Sequence, residues 1–203
     1  MIHQTAFFVA VVVGALLVIY ADGTRETIGA AAFATAVVAM LGASALYHRV
    51  TWSPGTRLWM RRVDHAGIYL LIAGTYTPVG LIVVHGVLRN IVLVIVWSGA
   101  AAAILLKFIW VRAPKWLSAV TGVAVDWAVV AAMPQVVQNA GWPAFALLAA
   151  GGLAYSVGAV VYAMRRPDPA PDVFGDHELF HALTIVAVAC QYVAIAFWVV
   201  RVG

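Results

Sequence analysis

The sequence predicts an all-α fold: one seven-transmembrane helix bundle over residues 1–203, with the N-terminus cytoplasmic and the C-terminus outside. Three observations predict it. Of 203 residues, 65% are apolar and only 10% are charged, against about 25% charged in an average soluble domain. Runs such as AFFVAVVVGALLVIY (6–20) are apolar on every face, whereas a membrane barrel strand alternates polar and apolar residues. A spanning helix needs about 20 apolar residues, so seven of them use roughly 140 of the chain and leave room only for short loops.

These numbers exclude a soluble enzyme, a nucleic-acid-binding domain, a disordered chain and a disulfide-stapled secreted domain. The single Cys190 has no intrachain partner. The net charge of +4 is not a nucleic-acid signal, because in a membrane protein the placement of Lys and Arg matters more than their sum.

The elements follow in order. Residues 4–20 form the first apolar run. It lacks a basic leader and a clear cleavage site, which predicts a permanent span and not a signal peptide. Residues 27–48 run to the polar YHR end. Residues 63–84 open after Arg61 and Arg62 and close before His85-Gly86. Residues 88–109 end before Arg112. Residues 117–136 follow Pro114-Lys115 and carry Asp126. Residues 142–163 stop at Arg165-Arg166, and 177–200 close the bundle. Of the twelve Lys and Arg, nine fall around the connections after the second, fourth and sixth spans: Arg49, Arg57, Arg61, Arg62, Lys107, Arg112, Lys115, Arg165 and Arg166. Arg25, Arg89 and Arg201 fall on the other side. Basic residues mark the cytoplasmic face, and the asymmetry sets the orientation.

Ser44 and His48, Asp64 and His65, and His177, Glu178 and His181 are polar residues at span ends, and this orientation brings all three groups to the cytoplasmic depth. His177 and His181 are four residues apart and share a helix face, as do Ser44 and His48. Two histidines on one helix plus His48 from another supply three neutral nitrogen ligands. Three protein ligands with an open fourth position describe a catalytic zinc site. Asp64 is placed to orient a metal-bound water or take its proton. Ser44 is placed to hydrogen-bond that water or a substrate carbonyl. A bland alternative is that interfacial histidines cap helices or meet headgroups.

Other polar residues read differently. His65 points elsewhere on its helix and is assigned an interface role. His3 and His85 are placed on the outer side and are not expected to be ligands. Tyr20, Tyr47, Trp52, Trp59, Trp110, Trp116 and Trp142 fit an aromatic belt. Gly152 with Ser156, and Ala154 with Gly158, fit close helix packing. Asp126, mid-span, reads either as a proton or substrate contact or, slightly better, as a protonated carboxyl hydrogen-bonded to a neighbouring helix, because an ionised one is costly there.

HELFH (177–181) matches the His-Glu-x-x-His zinc-protease motif, in which Glu is the general base. No Asp or Glu follows Glu178 to complete such a site. Glu178 is rotated about 100° from His177 and is expected to face headgroups or the preceding loop. A haem reading also fails, because two histidines on one helical turn cannot take opposite faces of one haem.

At SALYH (44–48), VDHAGIYLLIAGTYTP (63–78), YSVGAVVY (155–162) and HELFHALTIVA (177–187) the sequence resembles the hemolysin III family, the bacterial branch of the progestin and adiponectin receptor (PAQR) superfamily. The resemblance runs along almost the whole chain. It implies seven transmembrane helices, a cytoplasmic N-terminus and a multi-pass protein of the bacterial inner (plasma) membrane. It implies zinc on His48, His177 and His181, with Asp64 on the zinc-bound water and Ser44 beside it. The superfamily also includes alkaline ceramidases with the same five residues, which implies metal-dependent hydrolysis of a lipid amide. The sequence departs from the family at Gln191, where many relatives have histidine, and at Asp126, where a small residue is expected. The short stretch before the first span argues against adiponectin-style receptor signalling.

Three functions follow. The first is a zinc-dependent hydrolase of an acyl-lipid amide or ester, with Asp64 as base and Ser44 or the metal stabilising the oxyanion, acting in membrane lipid homeostasis. The second is a non-enzymatic lipid or fatty-acid sensor with structural zinc. The third is a cytolytic pore, which the composition does not support because no polar channel-lining stripe is visible. The expected partners are the bilayer and a membrane lipid or fatty acid, with no nucleic acid.

Overall fold

The computed structural model describes residues 2–170 and 174–202. Among these, every regular element is helical: α1 (Ile2–Ile19), α2 (Thr24–Arg49), α3 (Pro54–Pro78), α4 (Gly86–Ile109), α5 (Lys115–Trp127), α6 (Met133–Met164) and α7 (Asp176–Ala194). α3 and α7 each run on into a wider π-helical turn, Val79–Val83 and Ile195–Val199.

Burial is inverted relative to a soluble protein. Phe8, Val12, Ile19, Leu105 and Phe197 lie exposed on the outer surface. His3, Ser44, Thr75, Lys107, Asp126 and Gln191 are buried. An apolar outside and a polar minority inside suit a hydrocarbon solvent, where buried polar groups must find partners within the protein. The partners are present. Tyr76 donates to Asp126 Oδ1 at 3.3 Å. Thr75 Oγ1 lies 3.3 Å from Gln191 Oε1. Lys107 Nζ donates to Ser118. Asp126 is thus hydrogen-bonded to a neighbouring helix, as the sequence suggests.

Among the described residues, six helical stretches are long and apolar enough to cross a membrane. The sequence reading separates seven spans; the structure instead joins 117–136 and 142–163 into one stretch, Lys115–Met164. α5 continues through a single 3-10 turn, Val130–Ala132, into α6. The interruption falls at Gly141, whose φ of 87° and ψ of 168° lie in a region open to glycine and strained for other residues. The chain reverses there. Trp127 Nε1 donates to Ser156 Oγ at 2.8 Å, and a side chain added at Gly122 would collide with the Tyr155 hydroxyl. Lys115 at the start of this stretch meets Asp176 at 3.5 Å. Asn139 near its middle donates to the Val83 carbonyl at the far end of α3, at 2.8 Å. The stretch therefore runs from one end of the bundle to the other and back.

α3 starts at Pro54, well before the expected Val63. Ser53 caps it by accepting from the Thr56 N–H at 3.4 Å, and Pro54 occupies the first turn, the usual Ser-Pro start of a helix. Arg57, Arg61 and Arg62 then lie on a helical extension and not in a loop. Asp64 sits in the third turn.

Small residues set the helix register. A Cβ on Gly29 would lie 2.8 Å from Pro78 Cα, and one on Gly67 would lie 3.1 Å from Met40 Cα; one on Gly74 would collide with Ala36 Cβ. These pairs step in opposite directions along α2 and α3 with a constant offset, and one further turn brings Ser44 opposite Val63-Asp64. Gly151 against the Ala187 carbonyl and Gly158 against Leu183 join α6 and α7 in the same way, which agrees with the packing role expected of Gly158.

Gly74→Val is expected to lower stability by about 1–3 kcal/mol through overpacking, read as a drop in the thermal unfolding midpoint in detergent. Gly55→Ala, at a position with nothing within 4 Å of an added Cβ, is expected to leave that midpoint unchanged.

Candidate metal centre

The register places three histidines at one end of the bundle. His48 lies in the last turn of α2, and His177 and His181 lie in the first turns of α7. His177 Nε2 is 3.2 Å from His48 Nε2 and 2.9 Å from His181 Nε2. The three ligand atoms all lie within 4.8 Å of one another. Two nitrogens on a tetrahedral ion at about 2.0–2.1 Å would lie roughly 3.3 Å apart. The spacing therefore suits one ion held by three imidazoles, and this cluster could hold a metal. Nitrogen-only donors favour zinc and the later transition metals over magnesium or calcium.

Ser44 is buried beside this cluster. Asp64 and His65, on α3, line a small cavity of about 60 Å³ together with Ser44, His177 and His181. His65 Nδ1 is 3.4 Å from Asp64 Oδ2, and its Nε2 is 3.4 Å from the Tyr162 hydroxyl. His65 thus shares the cavity with Asp64, in place of the separate interface role that its helix position suggests. A wider polar opening of about 330 Å³ is lined by His3, Ser44, His48, Arg49, His177, Glu178 and His181.

Glu178 turns back to accept the Gly175 N–H at 3.1 Å, closing the N-terminus of α7. It serves there as a helix cap, which answers the protease reading of HELFH. Asp168 accepts the Asp176 N–H at 3.1 Å and secures the same turn. Lys115 Nζ stacks over the Tyr162 ring at 4.4 Å, and Arg62 Nε donates to the Phe108 carbonyl at 3.0 Å. The connections after α2, α4 and α6 therefore meet at the metal-centre end.

His3 overturns its sequence reading. It is not on the far side: its Nδ1 lies 2.7 Å from Ser44 Oγ and its Nε2 lies 3.0 Å from His181 Nδ1. The reason is the α1–α2 hairpin. Gly14 packs on Ala34 and Phe7 on Gly42, and the same step puts residue 3 against residue 44. The orientation drawn from the basic residues, with the N-terminus on the side of His48, carried this signal. His85 does lie at the opposite end, where its N–H donates to Gln135 Oε1 at 2.7 Å.

The profile described as Haemolysin-III related matches residues 1–192. The chain is 30% identical over 170 residues to the Hemolysin-3 homolog of Bacillus subtilis (strain 168), covering 84% of this chain and 76% of that protein. It is 33% identical over 137 residues to Hemolysin-3 of Bacillus cereus, covering 68% of this chain and 60% of that one. Apolar helices, a three-histidine end and these matches lead to one statement: the chain is a multi-pass integral membrane protein and belongs to the Haemolysin-III related family.

Proposed function

We propose that this protein is a zinc-dependent hydrolase of an acyl-lipid amide or ester, working at the cytoplasmic face of the bacterial inner membrane. The observation that carries this reading is the convergence of three Nε2 atoms beside a cavity that holds both Ser44 and Asp64. The shape of the neighbouring space supports a lipid substrate. The polar opening shares Ile2 with an apolar groove of about 490 Å³ between α1, α2 and α7, lined by Ala6, Val9, Val13, Phe33 and Tyr192 among others. A polar opening beside an apolar groove suits an amphiphile, with its carbonyl at the histidines and its chain along α1.

In this reading His48, His177 and His181 hold the ion. A zinc ion held by them would polarise a carbonyl and make a water acidic enough to serve as nucleophile near neutral pH. Asp64 takes the proton from the attacking water and returns it to the leaving amine or alcohol. Ser44 donates its hydroxyl hydrogen to the developing oxyanion. The apolar groove holds the acyl chain so that the scissile carbonyl lies at the polar mouth.

The same reading gives the chain seven crossings. Taking Lys115–Met164 as two crossings about Gly141 puts the termini on opposite sides, and the placement of the basic residues then assigns the N-terminus to the cytoplasm and the C-terminus to the outside. An enzyme reporter that is active only outside the membrane is expected to be active when fused at the C-terminus and silent when fused within the connection between α4 and α5. The reverse pattern sinks the orientation.

Purified protein is expected to carry stoichiometric zinc by elemental mass spectrometry, and His181→Ala to lose most of it. Equal zinc in both would remove His181 from the ligand set. Asp64→Asn is expected to keep its zinc and lose about 10²–10⁴ in turnover of an acyl amide or ester. Undiminished turnover would remove Asp64 as the proton carrier. A zinc-loaded wild type with no turnover of either class would favour the sensor function instead.

A further inference from the structure

Of the three histidines that the proposed chemistry leaves unused, His3 makes the closest contact with the cluster. His3 is 7% exposed, and its ring meets that of His181 edge-on, with centroids 4.0 Å apart. Its two nitrogens face three polar atoms. Nδ1 is 2.7 Å from Ser44 Oγ. Nε2 is 3.0 Å from His181 Nδ1 and 3.4 Å from the His181 carbonyl oxygen.

A neutral imidazole has one donor and one acceptor, so the proton positions can be counted outward from the cluster. His181 presents Nε2 to His177 Nε2 at 2.9 Å, within the cluster that also includes His48. A nitrogen that holds a metal uses its lone pair, which leaves the proton of His181 on Nδ1. That N–H points at His3 Nε2, which must accept it. The proton of His3 then sits on Nδ1 and is donated to Ser44 Oγ. The hydroxyl hydrogen of Ser44 is left to point away from His3, into the cavity that Ser44 shares with Asp64.

We propose that His3 is the positioning residue of this centre: it orients His181 by accepting from its Nδ1–H and aims the Ser44 hydroxyl by donating to its oxygen. This rests on the metal reading given under the proposed function. Metal-binding histidines commonly hand their second N–H to a carboxylate or carbonyl, which fixes the ring and its tautomer. Here an imidazole from α1 takes that place and connects the ligand to the serine. The opposite tautomer of His3 would donate to the longer carbonyl contact and leave His181 Nδ1–H without this acceptor.

The test uses full-length protein in detergent, titrated with zinc against a competing chelator, with His3→Leu and His3→Gln beside the wild type. His3→Leu is expected to weaken zinc binding about 10- to 100-fold, the usual cost of losing an outer partner. His3→Gln, which retains a donor and an acceptor, is expected to recover most of the loss. Nitrogen NMR of labelled histidine in the zinc-loaded wild type is expected to report His3 with its proton on Nδ1. Zinc binding by His3→Leu within about twofold of wild type overturns the role, and so does a His3→Gln variant as weak as His3→Leu. A proton on Nε2 in the zinc-loaded wild type overturns it even where the leucine variant fails to fold. A wild type that binds no zinc is a different result: it removes the metal reading, and this role with it.

Discussion

Much of this structure depends on how closely α2 can approach α3. Apolar side chains meet lipid as readily as they meet one another, so helices in a membrane gain most from tight contact between small residues. Gly29, Gly67 and Gly74 provide that contact. Each is matched to one partner on the other helix, so the two helices cannot slide without a collision. The fixed register carries Ser44 to the level of Asp64 and leaves His48 one turn beyond, where α7 can reach it. The chemistry at the end of the bundle is therefore set by glycines that lie far from it.

The α1–α2 hairpin and the α6–α7 pair apply the same device. The first brings His3 to Ser44, and the second holds α7 at the height where His177 and His181 face His48. At the opposite end the work is different. The carbonyls released where α3 ends in its π-helical turn are taken up by Asn139 at Val83 and by Arg89 Nε at Val84, the latter at 2.9 Å. One end of the bundle concentrates titratable side chains, while the other uses amides and arginine to close backbone ends.

The helical architecture and the three-histidine cluster were legible because the chain has so few polar residues that each one in a span carries information. The five residues singled out do collect at one end. The rest is hidden from the sequence for physical reasons. Pro54 and Ser53 start α3 early, but three arginines in the next turns look like a loop when charge is weighed above capping. Gly141 breaks the φ/ψ pattern of α6 without breaking its hydrogen-bonded run, so two expected spans merge. Glu178 does turn to the preceding loop, as its position on the helix suggests, but its capping role there lies outside the His-Glu-x-x-His pattern. His3 needed hairpin register, which follows from the tight turn around Asp22-Gly23 and not from any local motif.

The centre joins the first helix to the last, and this has a consequence for biosynthesis. His177 is 129 residues beyond its partner His48. At about 5–20 residues per second, a ribosome needs on the order of ten seconds to bridge that gap. During the interval α1, α2 and α3 can already be inserted and paired, with Ser44 held by His3, but only one of the three cluster nitrogens has been made. The three-histidine cluster is thus complete only when synthesis is nearly finished, and a chain released early carries a lipid-compatible bundle with no complete cluster.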